Sequence, residues 1–414
     1  MKKKIVALFA ITTLMITFSS CDLLEEKKKF ETSINIDENT ASDAQQTQQK
    51  EFDAYGDEEV KEKVEEIQGY IDDYFYFEKD SAKQEEAYYD GIMAGLDDPY
   101  SVYYTAEEYQ ELLEEDSGEF SGVGAVVTQD ENKNVKIVRT IKNSPAQEAG
   151  LEADDIIVQV GDVEINGQDL DIVVKMIRGE VGTVAHIKVY RQSVNDYLEF
   201  DITRAIVTDE TVTYEMKDNN IGYISVTQFY DNTDENFIEA IDALTAQGAE
   251  GFIIDLRDNP GGLLTSVVNM CDYIMPKGNI VTTKDKNGYI IKEYNATNDH
   301  TVDVPIVVLI NGNSASASEI FAGAMKDTGK ATLVGTTSFG KGIVQSVIPL
   351  SDGSAIKITI AKYFTPAGND IHEIGVAPDY EVELVDRTNA VNIEYEDDLQ
   401  LKRAENVMIE LLGK

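Results

Sequence analysis

The stretch "VVLINGNSASASEIF", Val307–Phe321, changes character halfway along. Its first part is an apolar, β-branched run suited to a buried strand, read as Ile306–Ile310, which stops at the turn-forming pair Asn311–Gly312. The second part alternates Ser and Ala, then opens a helix near Ser316 or Ser318 with Glu319 in its first turn. A buried strand running into a helix is the building unit of an α/β core. The flanks repeat it: "IGYISV", the helical pattern "NFIEAIDALTAQGA", "GFIIDLR", and a second helical pattern after "NPGG". This alternation predicts a mostly parallel sheet.

The rest of the chain divides by composition. With 414 residues, 42% of them hydrophobic, there is material for two or three domains. The 77 acidic against 35 basic residues leave a formal charge of -42, which repels a phosphate backbone and argues against nucleic acid as a partner. Lys2, Lys3 and Lys4 precede the apolar run Ile5–Phe18, which suits a signal-peptide core and is short of the roughly 20 residues a spanning helix needs. Export is expected. "FSSC" resembles a bacterial lipoprotein processing site with Cys21 as the acylated residue, although Phe18 stands where Leu is usual; an ordinary secretory signal is the alternative. Cys271 is the only other cysteine, and the pair has no CxxC spacing, so neither a zinc site nor a disulfide framework is expected.

Residues 21–56 are polar and read as a flexible linker. Val60, Val64, Ile67, Ile71 and Tyr74 recur at helical spacing, followed by a second helical pattern and an acidic helix with Thr105 as its N-cap, so 57–117 is read as a helical region. From "SGEFSGVGAVVT" onward the chain becomes strand-rich, and "SPAQEAGLEADDIIVQVGDVEINGQ" with "IRGEVGT" resembles a bacterial PDZ domain over 118–204. A PDZ domain captures a chain end as an added strand, with loop N–H groups on the terminal carboxylate; Gly122, Val123, Gly124 and Ala125 are the candidates here. Outside that resemblance a Gly-x-Gly before a strand is more often a bulge or turn.

A serine at the start of a helix sits where unpaired N–H groups and the positive helix end stabilise an oxyanion, yet serine is also common there simply as a helix cap. Nucleophilic chemistry therefore requires a base. The three histidines are His186 in a strand of the PDZ-like region, His300 in a polar loop and His372 after a Pro-Gly turn; none stands in a recognised Ser-His pattern. Lys341, in "GTTSFGKGIVQS", has no acidic neighbour in sequence, and burial can bring a lysine toward neutrality so that it accepts a serine proton, although a lysine in a glycine turn is more often a surface or phosphate-contacting residue.

With these residues in place, "NGNSASASEIFAGAMKD", "GTTSFGKGIVQ", "IIDLRDNPGG" and "TPAGNDIHEIGVAPD" follow in order behind the PDZ-like region. Together they resemble the carboxyl-terminal processing peptidases, the S41 serine peptidases with a Ser-Lys dyad. The resemblance implies Ser316 as nucleophile, Lys341 as base, Gln345 as the residue orienting the amine, and the amides of Ala317 and of Gly262, favoured over Gly261, as oxyanion donors. It also implies that Arg178, in "MIRGEVGT", relays PDZ occupancy to the site, where a surface arginine after a helix is the plainer reading.

The expected architecture is a multidomain α/β chain: signal peptide 1–20, linker 21–56, helical region 57–117, PDZ domain 118–204, peptidase core of crotonase/ClpP-like type 205–390, and helical tail 391–414. The expected activity is endoproteolysis of envelope or secreted proteins near C-termini or in unfolded stretches, with no cofactor and no metal. Expected partners are protein substrates held by their C-terminal tails, the outer face of the cytoplasmic membrane through the lipid on Cys21, a second copy through the terminal helices, and an adaptor protein. A secreted or periplasmic form is the alternative to anchoring. A catalytically silent PDZ scaffold is the alternative from another class, and a crotonase-like acyl-CoA enzyme a third.

Overall fold

The computed structural model describes residues 58–130, 133–165, 167–297, 299–384 and 395–414. The expected signal peptide, Cys21 and the linker lie outside them. The described chain forms two compact units, one containing 58–97 and the other running from Asp98 onward. The first holds helices α1 (Glu58–Tyr74) and α2 (Ser81–Ala94); α2 is capped by Asp80, whose carboxylate accepts the Lys83 N–H. No side chain of α1 is buried, and Ile67, Tyr70 and Tyr74 are exposed.

The second unit opens with β1 (Val102–Tyr104), α3 (Ala106–Ser117) and β2 (Glu119–Gly122). The predicted helical region 57–117 is thus divided: its last part belongs to the other unit and contains a strand. "VYY" is short but rich in aromatic and β-branched residues, and β1 gains its partner from far along the chain. The predicted Thr105 cap is present, with Thr105 and Glu108 exchanging side-chain and backbone hydrogen bonds.

The PDZ-like region comprises β3 (Ala125–Gln129), β4 (Val135–Thr140), α4 (Pro145–Ala149), β5 (Ile156–Val160), β6 (Val163–Glu164), α5 (Leu170–Ile177), β7 (Val184–Arg191) and β8 (Asp196–Thr203). Its antiparallel sheet has the order β3-β4-β5-β7-β8, with β6 on β5. Alternate residues of these strands, such as Val135, Ile137, Ala185, Ile187 and Val189, bury one face against α4 and α5. The chain leaves through β9 (Ala205–Thr208), which pairs antiparallel with β2 from Glu119↔Thr208 to Gly122↔Ala205. Entry and exit therefore form one two-stranded ribbon.

The core follows: β10 (Val212–Lys217), β11 (Ile221–Val226), α6 (Thr233–Ala246), β12 (Gly251–Asp255), α7 (Leu264–Ile274), β13 (Gly278–Lys284), β14 (Ile290–Ala296), β15 (Ile306–Ile310), α8 (Ala317–Asp327), β16 (Ala331–Gly335), β17 (Ile343–Pro349), β18 (Ala355–Phe364), β19 (Tyr380–Glu381) and α9 (Leu399–Leu412). One sheet has the order β10-β11-β12-β15-β16-β19, parallel except for β10. Every residue of β12 and β15 is buried, as a parallel sheet covered on both faces requires. Ile254, Val308 and Ile310 meet α6, α7 and α8 on one side; Ile253, Val307 and Leu309 meet Leu401, Ala404, Val407 and Met408 of α9 on the other. The tail helix thus spends its apolar face on the core. A second sheet, β1-β18-β13-β14 with β17 on β18, completes the unit.

Three loops leave the carboxyl ends of the parallel strands β12, β15 and β16, the edge where α/β sheets place their sites. They carry "RDNPGG", "NGNSAS" and "TTSFGK", the motifs singled out in the sequence.

Candidate active site

Ser316 ends the loop after β15 and caps α8. Its backbone has φ 55 and ψ -112, a region that residues other than glycine rarely occupy and that persists only when surrounding contacts impose it. Those contacts are visible. The Ser316 N–H donates to Glu319 Oε2 at 2.8 Å, and the Tyr363 hydroxyl lies 3.0 Å from the Ser316 carbonyl. Ser314 and Ser318 donate their hydroxyls to the carbonyls of Leu256 and Asn259, at 2.8 and 2.9 Å. Ser316 Oγ alone of the three has no hydrogen-bond partner, although the residue is fully buried.

Lys341 ends the loop after β16 and is only 4% exposed. Glycine is needed on both sides: a side chain on Gly340, at φ +93, would press on the Glu373–Ile374 backbone, and one on Gly342 would stand 2.5 Å from the His372 amide. Burial pulls the Lys341 ammonium down to about 8, against the opposing pull of Asp98 and Glu319. The sequence offered no acid beside this lysine; the fold brings two.

Glu319 and Tyr363 tie the two loops together. The buried Glu319 carboxylate accepts from the N–H groups of Ser316, Gly340 and Lys341 and from the Ser338 hydroxyl. Burial raises its pKa while these four donors oppose the rise. The Tyr363 hydroxyl, 1% exposed at the residue level, also lies 2.6 Å from the Lys341 carbonyl and shares its hydrogen between that oxygen and Ser316. Sequence reasoning placed Glu319 only as a helix-start residue and did not single out Tyr363. The capping spacing, Ser then Glu three residues on, was the available signal for Glu319.

The "NPGG" loop completes the surroundings. Asn259 is fully buried; its side chain donates to the Val226 carbonyl and accepts the Gly261 N–H, and its carbonyl accepts the Ala315 N–H. Gly261 and Gly262 have φ of +110 and +140. A side chain on Gly261 would come within 2.8 Å of Ser316 Cβ; one on Gly262 would strike the Phe229 carbonyl at 2.1 Å. The Gly261 amide is thus engaged by Asn259, whereas the amides of Gly262 and Ala317 form no hydrogen bond among the described residues. Of the two glycines, Gly262 therefore fits the donor role better.

Two expected contacts are not formed. Lys341 Nζ does not hydrogen-bond Ser316 Oγ; it lies over the Tyr100 ring, 4.7 Å from the centroid. The Gln345 amide donates to the Tyr100 carbonyl instead of meeting Lys341, and its Oε1 is buried without a partner. A register shift between Val344 and Gln345 displaces the strand from simple alternation at this point. Of the histidines, His186 pairs with Asp201 and His300 stacks on Tyr273, while His372 packs against Gly342 with its Nδ1 buried and unpartnered; none bonds Ser316 Oγ.

The PDZ candidates form a loop of their own. Val123 is buried, and the Gly124 carbonyl accepts the Ile141 N–H and the Ser144 hydroxyl. Gly124 has φ +81, and a side chain there would strike Ser144 at 2.3 Å. Arg178 follows α5, with its guanidinium over the Phe120 ring of β2 at 5.4 Å and its Cα close to Gly122. It lies beside the connecting ribbon and the candidate carboxylate loop. Among the described residues no group of three or more His, Cys, Asp or Glu side chains is arranged to hold a metal ion.

The profile of peptidase family S41 matches residues 220–382, and a PDZ domain profile matches 136–191. The chain is 39% identical to the carboxy-terminal processing protease CtpA of Bacillus subtilis over 75% of its own length and 66% of the relative's, so it spans just under two thirds of that protein. It is 35% identical to a carboxyl-terminal-processing protease of Synechocystis, covering 79% of both chains. A solved S41 protease structure from Bacteroides fragilis, 17% identical, shares the fold with a TM-score of 0.51 over 82% of this chain and 91% of that one. The chain belongs to peptidase family S41 and carries a PDZ domain ahead of its peptidase core.

Proposed function

We propose that this chain is a serine endopeptidase that cuts other proteins near their C-termini or in unfolded stretches. In this reading the neutral Lys341 amine takes the proton of Ser316 Oγ as that oxygen attacks the scissile carbonyl. The amides of Gly262 and Ala317 receive the resulting oxyanion. Lys341 then returns the proton to the departing amine, leaving an acyl group on Ser316 that water, activated by the same amine, removes. Gln345 orients the amine. The observation that carries the reading is the unpartnered, fully buried Ser316 hydroxyl at the start of α8, held on a strained backbone by the same carboxylate that holds a lysine brought to about 8.

The PDZ domain supports recognition of C-terminal tails, with Gly122, Val123, Gly124 and Ala125 on the terminal carboxylate. Arg178, between that loop and the ribbon, is suited to relay tail binding to the core. Export and acylation of Cys21 at the outer face of the cytoplasmic membrane rest on the leader sequence; no described helix is long and apolar enough to cross a membrane. The exposed apolar side chains of α1 support pairing with a second copy, and an adaptor remains part of the proposal on the family resemblance.

Incubation of the purified protein and its Ser316→Ala form with an unfolded protein, followed by mapping of the new termini, tests the assignment. Cleavage that disappears with Ser316 is the expected result. Binding of C-terminal peptides without any cleavage would leave the silent scaffold.

A further inference from the structure

Tyr100 makes contact with both residues that the mechanism needs and that do not reach their expected partners. Its ring lies against Lys341 Nζ, and its carbonyl accepts the Gln345 amide, 245 residues away in sequence. Meanwhile Ser316 Oγ and Gln345 Oε1 are both buried without a partner. One residue thus occupies two of the groups while the third waits.

We propose that Tyr100 is a positioning residue for the reaction: its ring face holds the charged Lys341 amine apart from Ser316, its carbonyl holds Gln345, and their release closes the catalytic arrangement. The inference rests on the Ser-Lys reading above. An aromatic face attracts an ammonium through its quadrupole and has no such hold on a neutral amine. Loss of the proton therefore frees Lys341 at the moment when it becomes able to accept one from Ser316. The freed amine can then donate a hydrogen bond to Gln345 Oε1, which is buried without a partner.

Tyr100 is itself held by a small network. The Asp98 carboxylate accepts the Tyr100 N–H at 3.0 Å, the Ser101 hydroxyl at 2.6 Å and the Thr359 hydroxyl at 2.7 Å, and the Ser101 hydroxyl in turn accepts the Thr359 N–H. The turn is thus tied to β18 by side chains just before the β1 ladder begins at Val102. The charged groups acting on Lys341 are Asp98 from this turn and Glu319 from α8; His372 and, beyond it, Asp370 face the Asp98 side from the "NDIHEIG" loop. Tyr100 also lines a cavity of about 520 Å³ with Val102, Tyr103, Leu112 and Lys357.

The test compares Tyr100→Leu and Tyr100→Phe with the wild type in the full chain, using a reduced and carboxymethylated protein as the unfolded substrate. Leucine keeps the apolar cover but lacks a π-face, so the ammonium form loses its attraction and the amine is freed at lower pH. The acid limb of kcat/KM is expected to move down by roughly 0.5–1 pH unit in Tyr100→Leu and to stay in place in Tyr100→Phe. If Tyr100→Leu does not fold, Tyr100→Met serves the same purpose. An NMR titration of Lys341 in the Ser316→Ala background, without substrate, reads the same contact independently of turnover and should show the same shift. Superimposable titrations for the tyrosine, leucine and phenylalanine forms overturn the proposal for Tyr100. Activity that survives Ser316→Ala instead overturns the serine mechanism and leaves the titration to judge the Tyr100 contact alone.

Discussion

The backbone amides of Ser316 and Lys341 end on the same oxygen, Glu319 Oε2, at 2.8 Å each. Two residues from different loops are thereby set at a fixed spacing by a third that touches neither reacting atom. The arrangement needs a carboxylate, because four donors converge and an amide can accept on only one of its two ends. Glu319→Gln turns an NH2 toward some of those donors. We expect a loss of about 2–4 kcal/mol in stability and a fall of 100-fold or more in kcat, measured by urea denaturation and turnover. A variant with wild-type kcat would show that the shared carboxylate does not set the site.

Lys341 makes both rate and stability depend on pH. In the proposed mechanism only the neutral amine acts as base, so kcat/KM should rise through about pH 8. The folded-state pKa lies below the unfolded value of 10.5, so between these two values the unfolded chain binds more protons and stability rises with pH. Below about 8 the full cost of burying the ammonium is present. Lys341→Met should therefore be inactive yet more stable than wild type by about 2–3 kcal/mol at pH 7, with this contribution fading above pH 10.5. Equal pH dependence of denaturation in the two proteins would contradict the burial argument.

Gly262 faces the Phe229 carbonyl so closely that a methyl group cannot be accommodated without moving the loop. Gly262→Ala should break the Phe229–Gly262 bridge, displace the amide proposed to receive the oxyanion and lower kcat by about 100-fold or more, with KM changed far less. Steady-state kinetics beside circular dichroism separates this from unfolding. A change confined to KM would place the amide outside the reaction.

The tail helix is fixed at its start by a buried charge cluster. Arg257 donates to both oxygens of Asp398, at 2.8 and 2.9 Å, and to Asp255, which also accepts the Tyr223 hydroxyl. Asp398 caps α9 through the Leu401 N–H as well. Asp398→Ala removes the cap and leaves a buried guanidinium short of one partner, at a cost of about 3–5 kcal/mol. Because Arg257 immediately precedes the "DNPGG" turn, proteolytic activity should fall together with the melting temperature. A melting temperature within a degree of wild type would mean that α9 docks through its apolar face alone.

Much of the core was legible because it rests on local pattern. The apolar runs of β12 and β15, the small residues at the start of α8, and the paired glycines after Asn259–Pro260 each announce their conformation within a few residues. What escaped was non-local. β1 lay in a stretch whose flanking residues favour helix, and it became a strand by pairing with β18, more than two hundred residues later. Asp98 and Tyr100 could not be placed beside Lys341 from sequence, since nothing local to either reports the other. Glu319 was visible as a capping residue, but its role as acceptor for Ser338, Gly340 and Lys341 depends on the loop after β16 folding over it. Gln345 was assigned by the family resemblance to orient the lysine; in the structure its amide donates to the Tyr100 carbonyl, beside a register shift in the strand.

The most direct test of the mechanism is to trap the acyl intermediate. Acid-quenched mixtures of the protein with an unfolded substrate, analysed by intact mass and peptide mapping, should show a substrate fragment esterified to Ser316. The adduct should form faster as pH rises through about 8 and be absent from Ser316→Ala and Lys341→Met. An adduct on another residue, or substrate cleavage that continues undiminished in Ser316→Ala, would contradict the account.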